Sequence, residues 1–250
     1  KQIESVVIDY DESLWVLAAD RLYRLAPNGA VMSDESVTAL LSSAEHLSLD
    51  SLGGVIWLAN KHQVLRRDLA NPGMLPILIG SATTDDIAKM AVETLSGDLW
   101  VATKNRLSRY DREGSLLKTI DLRPFGLVDV EGLSVDSFTH TVWLAGKKNV
   151  VHLTVDGALL GNTDGKSEIE AVSAAGGNIF PVPTVSLLTP PANQLTNNPQ
   201  PAIQFKLGAT CGGTPCDAGA AYYQHLNLDV LLNGVQIARQ FVVHEAFEMM

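Results

Sequence analysis

Cysteines, aromatic residues and clustered cations are all scarce in this chain: 2 Cys, 6% aromatic residues, and 18 Lys and Arg against 28 Asp and Glu in 250 residues. The net charge of −10, with its cations scattered, sets aside nucleic acid and anionic membrane as main partners, because such binding draws on grouped Lys and Arg. No apolar run approaches the ~20 residues needed to cross a bilayer, and no basic start followed by an apolar stretch reads as a signal peptide. Catalytic signatures are missing as well: there is no G-x-S-x-G elbow, no phosphate-binding glycine loop and no H-E-x-x-H pair. In "HEAFE", residues 244–248, Glu248 stands where a second zinc-binding His would be, and the stretch reads as a strand. The segment "DGALLGNTDGKSE", residues 156–168, offers Asn162, Asp164 and Glu168, but it lacks the acid spacing of an EF-hand loop and reads as a solvated turn. Also absent is any long 3.6-residue period, which excludes a helical architecture. What remains, 46% apolar and 18% charged residues, is the composition of an ordinary folded protein.

The few aromatics that are present carry the organising signal. The four tryptophans stand at 15, 57, 100 and 143, at intervals of 42, 43 and 43 residues, so the chain reads as an array of supersecondary units. An aliphatic residue flanks each on both sides, and seven positions on come Leu22, Val64, Leu107 and Val150. Two further on stand Arg24, Arg66, Arg109 and His152. Upstream an acid closes a short apolar run at Asp9, Asp50, Glu93 and Asp136, and a glycine closes the second hairpin at Gly29, Gly73, Gly114 and Gly157. Each unit therefore reads as four short strands joined by tight turns; in the second they are "LSLD", "VIWLA", "VLRRDL" and "MLPILI". The tryptophan strand is apolar at consecutive positions, so both of its faces need cover. A four-stranded blade between two similar blades provides it, and the predicted fold is an all-β propeller with Trp15, Trp57, Trp100 and Trp143 as inter-blade core. A partial fifth unit, "IEAVSAAGGNIF" at 169–180, puts Phe180 at the tryptophan position. Because the count is four units and a part, further strands are expected before Lys1.

From Pro181 the composition shifts to Pro and Asn. The strand-like runs "TVSLL" and "AIQFKL", and the Asn233-Gly234 hairpin signal, predict a short Ig-like β-sandwich over 181–250 after a propeller over 1–180. Both cysteines lie there, in "ATCGGTPCDAG". Cys211 and Cys216 fit a short disulfide loop in an oxidising compartment; a free pair in a cytosolic protein and half of a zinc site are the alternatives.

The repeat "GLSVDSFTHTVWLAGKKNVVHLTVDG" resembles the blades of NHL-like bacterial propellers, with their apolar-Asp first strand, tryptophan second strand and closing Asp-Gly. "PTVSLLTPPANQLTNNPQPAIQFKL" is similar to the opening of bacterial Ig-like domains of large surface proteins. Together they resemble the architecture of Rhs or YD-repeat proteins, which are teneurin-like. That resemblance implies a secreted or cell-surface scaffold without a catalytic residue.

The register supplies one candidate site. Glu4, Glu45, Glu131 and Glu170 stand directly before strand one in four of five units, Ala88 taking the place in the other. Lys61, Lys104 and Lys147 occupy the turn after strand two, which a meander puts on the same rim. Such a ring predicts a face for a cation such as Ca²⁺, a sugar or a basic peptide, set against a reading in which each Glu merely serves its turn. The functional expectation is a non-enzymatic extracellular module that binds protein or carbohydrate, or braces neighbouring domains of a larger polypeptide. The alternative is a propeller enzyme, a metal-dependent lyase or lactone hydrolase. That needs clustered His and acids on the loops entering strand one, where only His46 appears, beside Glu45.

Overall fold

The computed structural model describes residues 2–174 apart from 19, 72–76, 80–84, 128, 138, 166 and 167, with Leu78, Ile79 and six strands between Val182 and Met249 described by backbone alone. The chain divides into two compact units, Lys1–Asn178 and Ile179–Met250.

The first unit is four antiparallel four-stranded meanders, each in sequence order from strand one to strand four. Blade 1 holds β1 (Ile3–Ile8), β2 (Leu14–Ala18), β3 (Arg21–Leu25) and β4 (Val31–Ser36). Blade 2 holds β5 (His46–Asp50), β6 (Val55–Ala59), β7 (Val64–Asp68) and β8 (Ile77–Ile79). Blade 3 holds β9 (Ile87–Val92), β10 (Leu99–Thr103), β11 (Arg106–Tyr110) and β12 (Leu116–Asp121), and blade 4 holds β13 (Val130–Asp136), β14 (Thr141–Gly146), β15 (Asn149–Thr154) and β16 (Leu159–Asp164). The first strands of successive blades lie side by side, β1 by β5, β5 by β9 and β9 by β13, so the array turns about a common axis as a propeller does.

Consecutive apolar residues in the second strands are explained by the two faces they serve. Ile56 and Leu58 pack with Trp15, Leu17 and Leu22 of blade 1, whereas Val55, Trp57 and Ala59, one residue out of phase, pack with Ile87, Leu99 and Val101 of blade 3. Trp100 and Ala102 repeat the pattern against Val142 and Leu144 of blade 4. A strand's side chains alternate between its faces, so a strand buried on both must be apolar throughout. Trp57 and Trp100 have no exposed surface, and each removes roughly 150–250 Å² from water. Trp15 is buried too. Trp143 is only half-buried, because among the described residues no further blade covers its face.

Turn chemistry follows the sequence. Gly29, Gly114 and Gly157 take φ of 82°, 94° and 85° between third and fourth strands, a region that costs a side-chain-bearing residue energy. Gly73 lies outside the described residues. Of the run "MLPILI", Ile77–Ile79 form β8 and the residues before them lie outside the described ones. The stretch 156–168, read from sequence as a solvated turn, instead contains β16, where the Asn162 side chain donates to the Phe125 carbonyl at 3.1 Å.

Of the fifth unit, residues 168–174 form no strand but run along β13: a Cβ on Gly132 would meet the backbone of Ala171 and Val172, and the Ala174 N–H donates to Ser134 Oγ at 2.9 Å. Phe180 lies outside the described residues.

In the second unit β17 (Val182–Thr189) pairs along one edge of β18 (Ile203–Cys211), while β19 (Thr214–Cys216) and β22 (Phe247–Met249) pair with opposite ends of β18. β20 (Asn227–Leu232) and β21 (Val235–Phe241) form a hairpin that sets Leu232 opposite Val235, the register the Asn233-Gly234 signal requires. The backbone thus places Cys211 and Cys216 on one hairpin, opposite Thr214 and Ala209 respectively. Their sulfurs lie outside the described residues.

Candidate functional site

Among the described residues of the propeller, chemistry-bearing groups gather on the rim where strand one enters, on the opposite rim, and along the axis between the first strands.

On the entry rim, the turn after strand two of one blade holds the start of the next. The Ile87 N–H donates to the Lys61 carbonyl at 2.7 Å, and Ile169 to Lys147 at 3.0 Å. The glutamates and lysines therefore share this rim. Glu4, Glu170, Lys61, Lys104 and Lys147 are exposed, and Glu45 and Glu131 half-buried. Two of the lysines turn to an aspartate rather than to the glutamates: Lys104 and Lys147 converge on Asp129, at 3.7 and 3.6 Å. Asp129, in the loop before β13, has a φ of 75°, uncommon for a non-glycine residue. No sequence signal marked it, since its neighbours fall between the repeated positions. A cavity of about 520 Å³ opens here, lined by Asp85, Asp86, Lys89, Lys104, Asp129 and Glu131 among others. His46, the histidine of the enzyme reading, directs Nε2 at the Ile87 carbonyl at 3.2 Å. Burial holds its ring below the ordinary value of 6.5, since the charged form is the one that loses water. Among the described residues, no three of His, Cys, Asp and Glu gather as metal ligands would.

The opposite rim carries the acids that end strand one, and it fastens the blades. Asp9 accepts from Trp15 Nε1 at 3.2 Å and lies 3.4 Å from the Arg24 guanidinium. That guanidinium stands 5.3 Å from the Trp15 ring centroid, within cation–π range. Asp50 instead takes Arg112 from the outer turn of blade 3, while Arg66 donates to the Arg112 carbonyl at 2.7 Å. Glu93 accepts from His140 Nδ1 of blade 4 at 2.5 Å and lies 3.7 Å from Arg109. Arg109 Nη2 also reaches Asp98 at 2.6 Å, its Cζ 5.4 Å from the Trp100 centroid. Burial raises Asp98 above the ordinary carboxylate value despite Arg109, because desolvation disfavours the charged carboxylate. In blade 4 His152 replaces the arginine and stacks on Trp143, centroids 3.8 Å apart. Asp50 and Glu93 are completely buried. The cross-blade partners were not legible in the repeat, because Arg112 and His140 belong to no recurring position.

The axis holds a cavity of about 530 Å³ between β1, β5, β9, β13 and residues 173–174. Among its described lining residues none is charged, and Glu4, Glu45, Glu131 and Glu170 are not among them. The reason is register. Residues opposite the tryptophans, Val7, Ser48, Ala91 and Ser134, and their neighbours line the axis region, whereas Glu45 stands just before β5, and Glu4 and Glu131, expected before strand one, are the second residues of β1 and β13.

No family model and no curated protein sequence matches the chain. Among solved structures it is similar in fold to a chain of a nidogen/laminin complex, with a TM-score of 0.55 and 14% identity over 86% of this chain and 78% of that one. At that identity the likeness shows the fold alone, and it agrees with the blades described above: the protein is a β-propeller.

Proposed function

We propose that the chain is a non-enzymatic extracellular module, an NHL-like propeller followed by an Ig-like spacer, which presents a protein-binding face within a larger surface polypeptide of the Rhs or YD-repeat kind. The observation that carries this reading is the use made of the buried acids. Asp9, Asp50 and Glu93, the groups whose burial would suit them to catalysis, each hold a turn or a neighbouring blade. The entry rim, by contrast, leaves Glu4, Glu170, Lys61, Lys104 and Lys147 in solvent, the mixed charge from which selective protein contacts are built. The fold neighbour comes from a complex between two proteins, which supports the same use of the scaffold. The Cys211–Cys216 hairpin and the surface-protein resemblance support an oxidising, extracytoplasmic location.

The test joins location with binding. Protease shaving of intact producing cells should release propeller peptides, and the purified chain should bind a surface or secreted protein from the same source. Charge reversal at Lys61, Lys104 and Lys147 should abolish that binding without changing the melting temperature. Retention inside the cell, or binding indifferent to the reversals, would overturn the proposal.

A further inference from the structure

Blade 1 leaves open the face that blades 2, 3 and 4 have covered. Its side chains form two rows across the sheet. Ile8, Leu14, Leu25 and Val31 stand opposite one another on β1 to β4, and Val6, Val16 and Tyr23 form a second row that ends at Asp34. Ile8, Val6 and Val31 are 45%, 49% and 63% exposed, and Leu14, Tyr23 and Leu25 are half-buried. None of these apolar residues enters the inter-blade cores. In blade 2 the same register places hold Leu47, Ile56, Leu58 and Leu65, none more than 4% exposed, because Trp15, Leu17 and Leu22 of blade 1 pack on them. Trp57 of blade 2 likewise packs with Leu99 and Val101 of blade 3, and Trp100 with Val142 and Leu144 of blade 4. One interface is thus built three times, from the tryptophan strand of one blade and the opposite face of the next. Blade 1 carries half of a fourth, and an exposed apolar patch of this kind marks a contact surface.

We infer that this face seats a further propeller blade of the larger polypeptide proposed above, a reading on which the inference rests. The three existing interfaces define the occupant: an apolar second strand with an aromatic ring at the register of Trp15, laid over blade 1 as Trp15 is laid over blade 2. Charge refines it. Three residues before each tryptophan the backbone is left-handed, and the residue there changes from blade to blade: Glu12, Gly54, Gly97 and His140, with φ of 63°, 64°, 77° and 53°. His140 faces back to Glu93, the acid that ends strand one of blade 3. Blade 1 offers the carboxylate of Glu12 at that place, so the occupant requires a base or a neutral residue where the four blades have Asp9, Asp50, Glu93 and Asp136, since like charges set together across an interface are unfavourable. A second copy of this chain fails that requirement. Its blade 4 would bring Asp136 against Glu12, and on its Trp143 face Gly132 and Ser134 already meet Ala171, Val172 and Ala174 of their own chain. The face is also separate from the entry-rim lysines, which belong to blades 2, 3 and 4.

Photo-crosslinking in the polypeptide as its producing cell makes it tests the inference, with p-benzoylphenylalanine in place of Tyr23. The cross-link should stay within one polypeptide, leaving its mass on a denaturing gel unchanged, and should join position 23 to a peptide outside residues 1–250 that carries an aromatic residue in an apolar run. Hydroxyl-radical footprinting, which needs no substitution, should label Val6, Ile8 and Tyr23 several-fold faster in the 250-residue chain than in that polypeptide. Ile8→Asp should lower the melting temperature of the polypeptide but not that of the 250-residue chain, where Ile8 already meets water. A gel band of two cross-linked copies, a cross-link to another protein or to residues 179–250, or equal labelling in the two proteins would overturn the inference. These readouts lie within one polypeptide, so they stand apart from failure of the extracellular reading, which shows as retention in the cell or as binding indifferent to lysine reversal.

Discussion

Arg112, in the outer turn of blade 3, closes on the fully buried carboxylate of Asp50 in blade 2 and so bridges 62 residues of sequence. The pair spans the inter-blade boundary, and the two glycines of the flanking turns leave the space it occupies: a Cβ at Gly53 or Gly97 would collide with Arg112 and with Asp50 itself. The first prediction follows from the burial of Asp50. Arg112→Ala strands a carboxylate without its counter-charge and should destabilise the propeller by roughly 3–5 kcal/mol in urea unfolding. A loss below about 1 kcal/mol would show the bridge to be a surface pair of little weight.

The glycines separate conformation from space. Gly29 and Gly97 both have positive φ, 82° and 77°, but a Cβ at Gly29 would meet nothing within 4 Å, whereas one at Gly97 would meet Arg112 and Asp50. Gly29→Ala should therefore cost about 1–2 kcal/mol, the conformational term alone, and Gly97→Ala a further ~1–3 kcal/mol of overpacking. Equal losses would mean that Arg112 swings aside at no cost.

Burial of the tryptophans makes a graded prediction. Trp100→Ala removes a fully buried ring and should cost roughly 3–5 kcal/mol. Trp143→Ala should cost clearly less, because part of that ring already faces water and its stacked partner His152 comes from its own blade; less area returns to solvent when it is removed. A denaturant midpoint for Trp143→Ala at or below that for Trp100→Ala would contradict the packing described.

Much of this was legible in the sequence, and its limits have a physical pattern. Tryptophan spacing, the apolar neighbours and the hairpin glycines fix strands, turns and blade faces, because each is a local rule repeated in every unit. The contacts that join blades were not legible: Arg112, His140 and Asp129 break the repeat, two of them, His140 and Asp129, with left-handed backbone at φ of 53° and 75°. A periodic argument averages over such residues. For the same reason it set four glutamates around a channel among whose described lining residues they are not found, since a period assigns each residue a rim but not its distance from the axis.

His46 gives the last prediction, with a defined sign. Its ring is partly buried and directed at the Ile87 carbonyl. Burial, the dominant influence, lowers its pKa below 6.5 in the folded protein; the nearby Lys89 acts in the same direction, while the Ile87 carbonyl and Glu45 oppose it. The unfolded chain, protonating at the ordinary value, then binds more protons than the folded one as pH falls through that value. Stability contributed by neutral His46 is therefore complete well above pH 6.5 and declines as the solution is acidified, until the folded protein also protonates the ring. Urea midpoints measured at about pH 7.5 and about pH 5 should fall further for the parent than for His46→Gln, which cannot titrate. The comparison is between the two proteins at each pH, so the contributions of the other titrating groups cancel. An equal fall in both would mean that the ring accepts its proton without losing its place against Ile87; a larger fall in the variant would reverse the sign and show that the folded state prefers the charged ring.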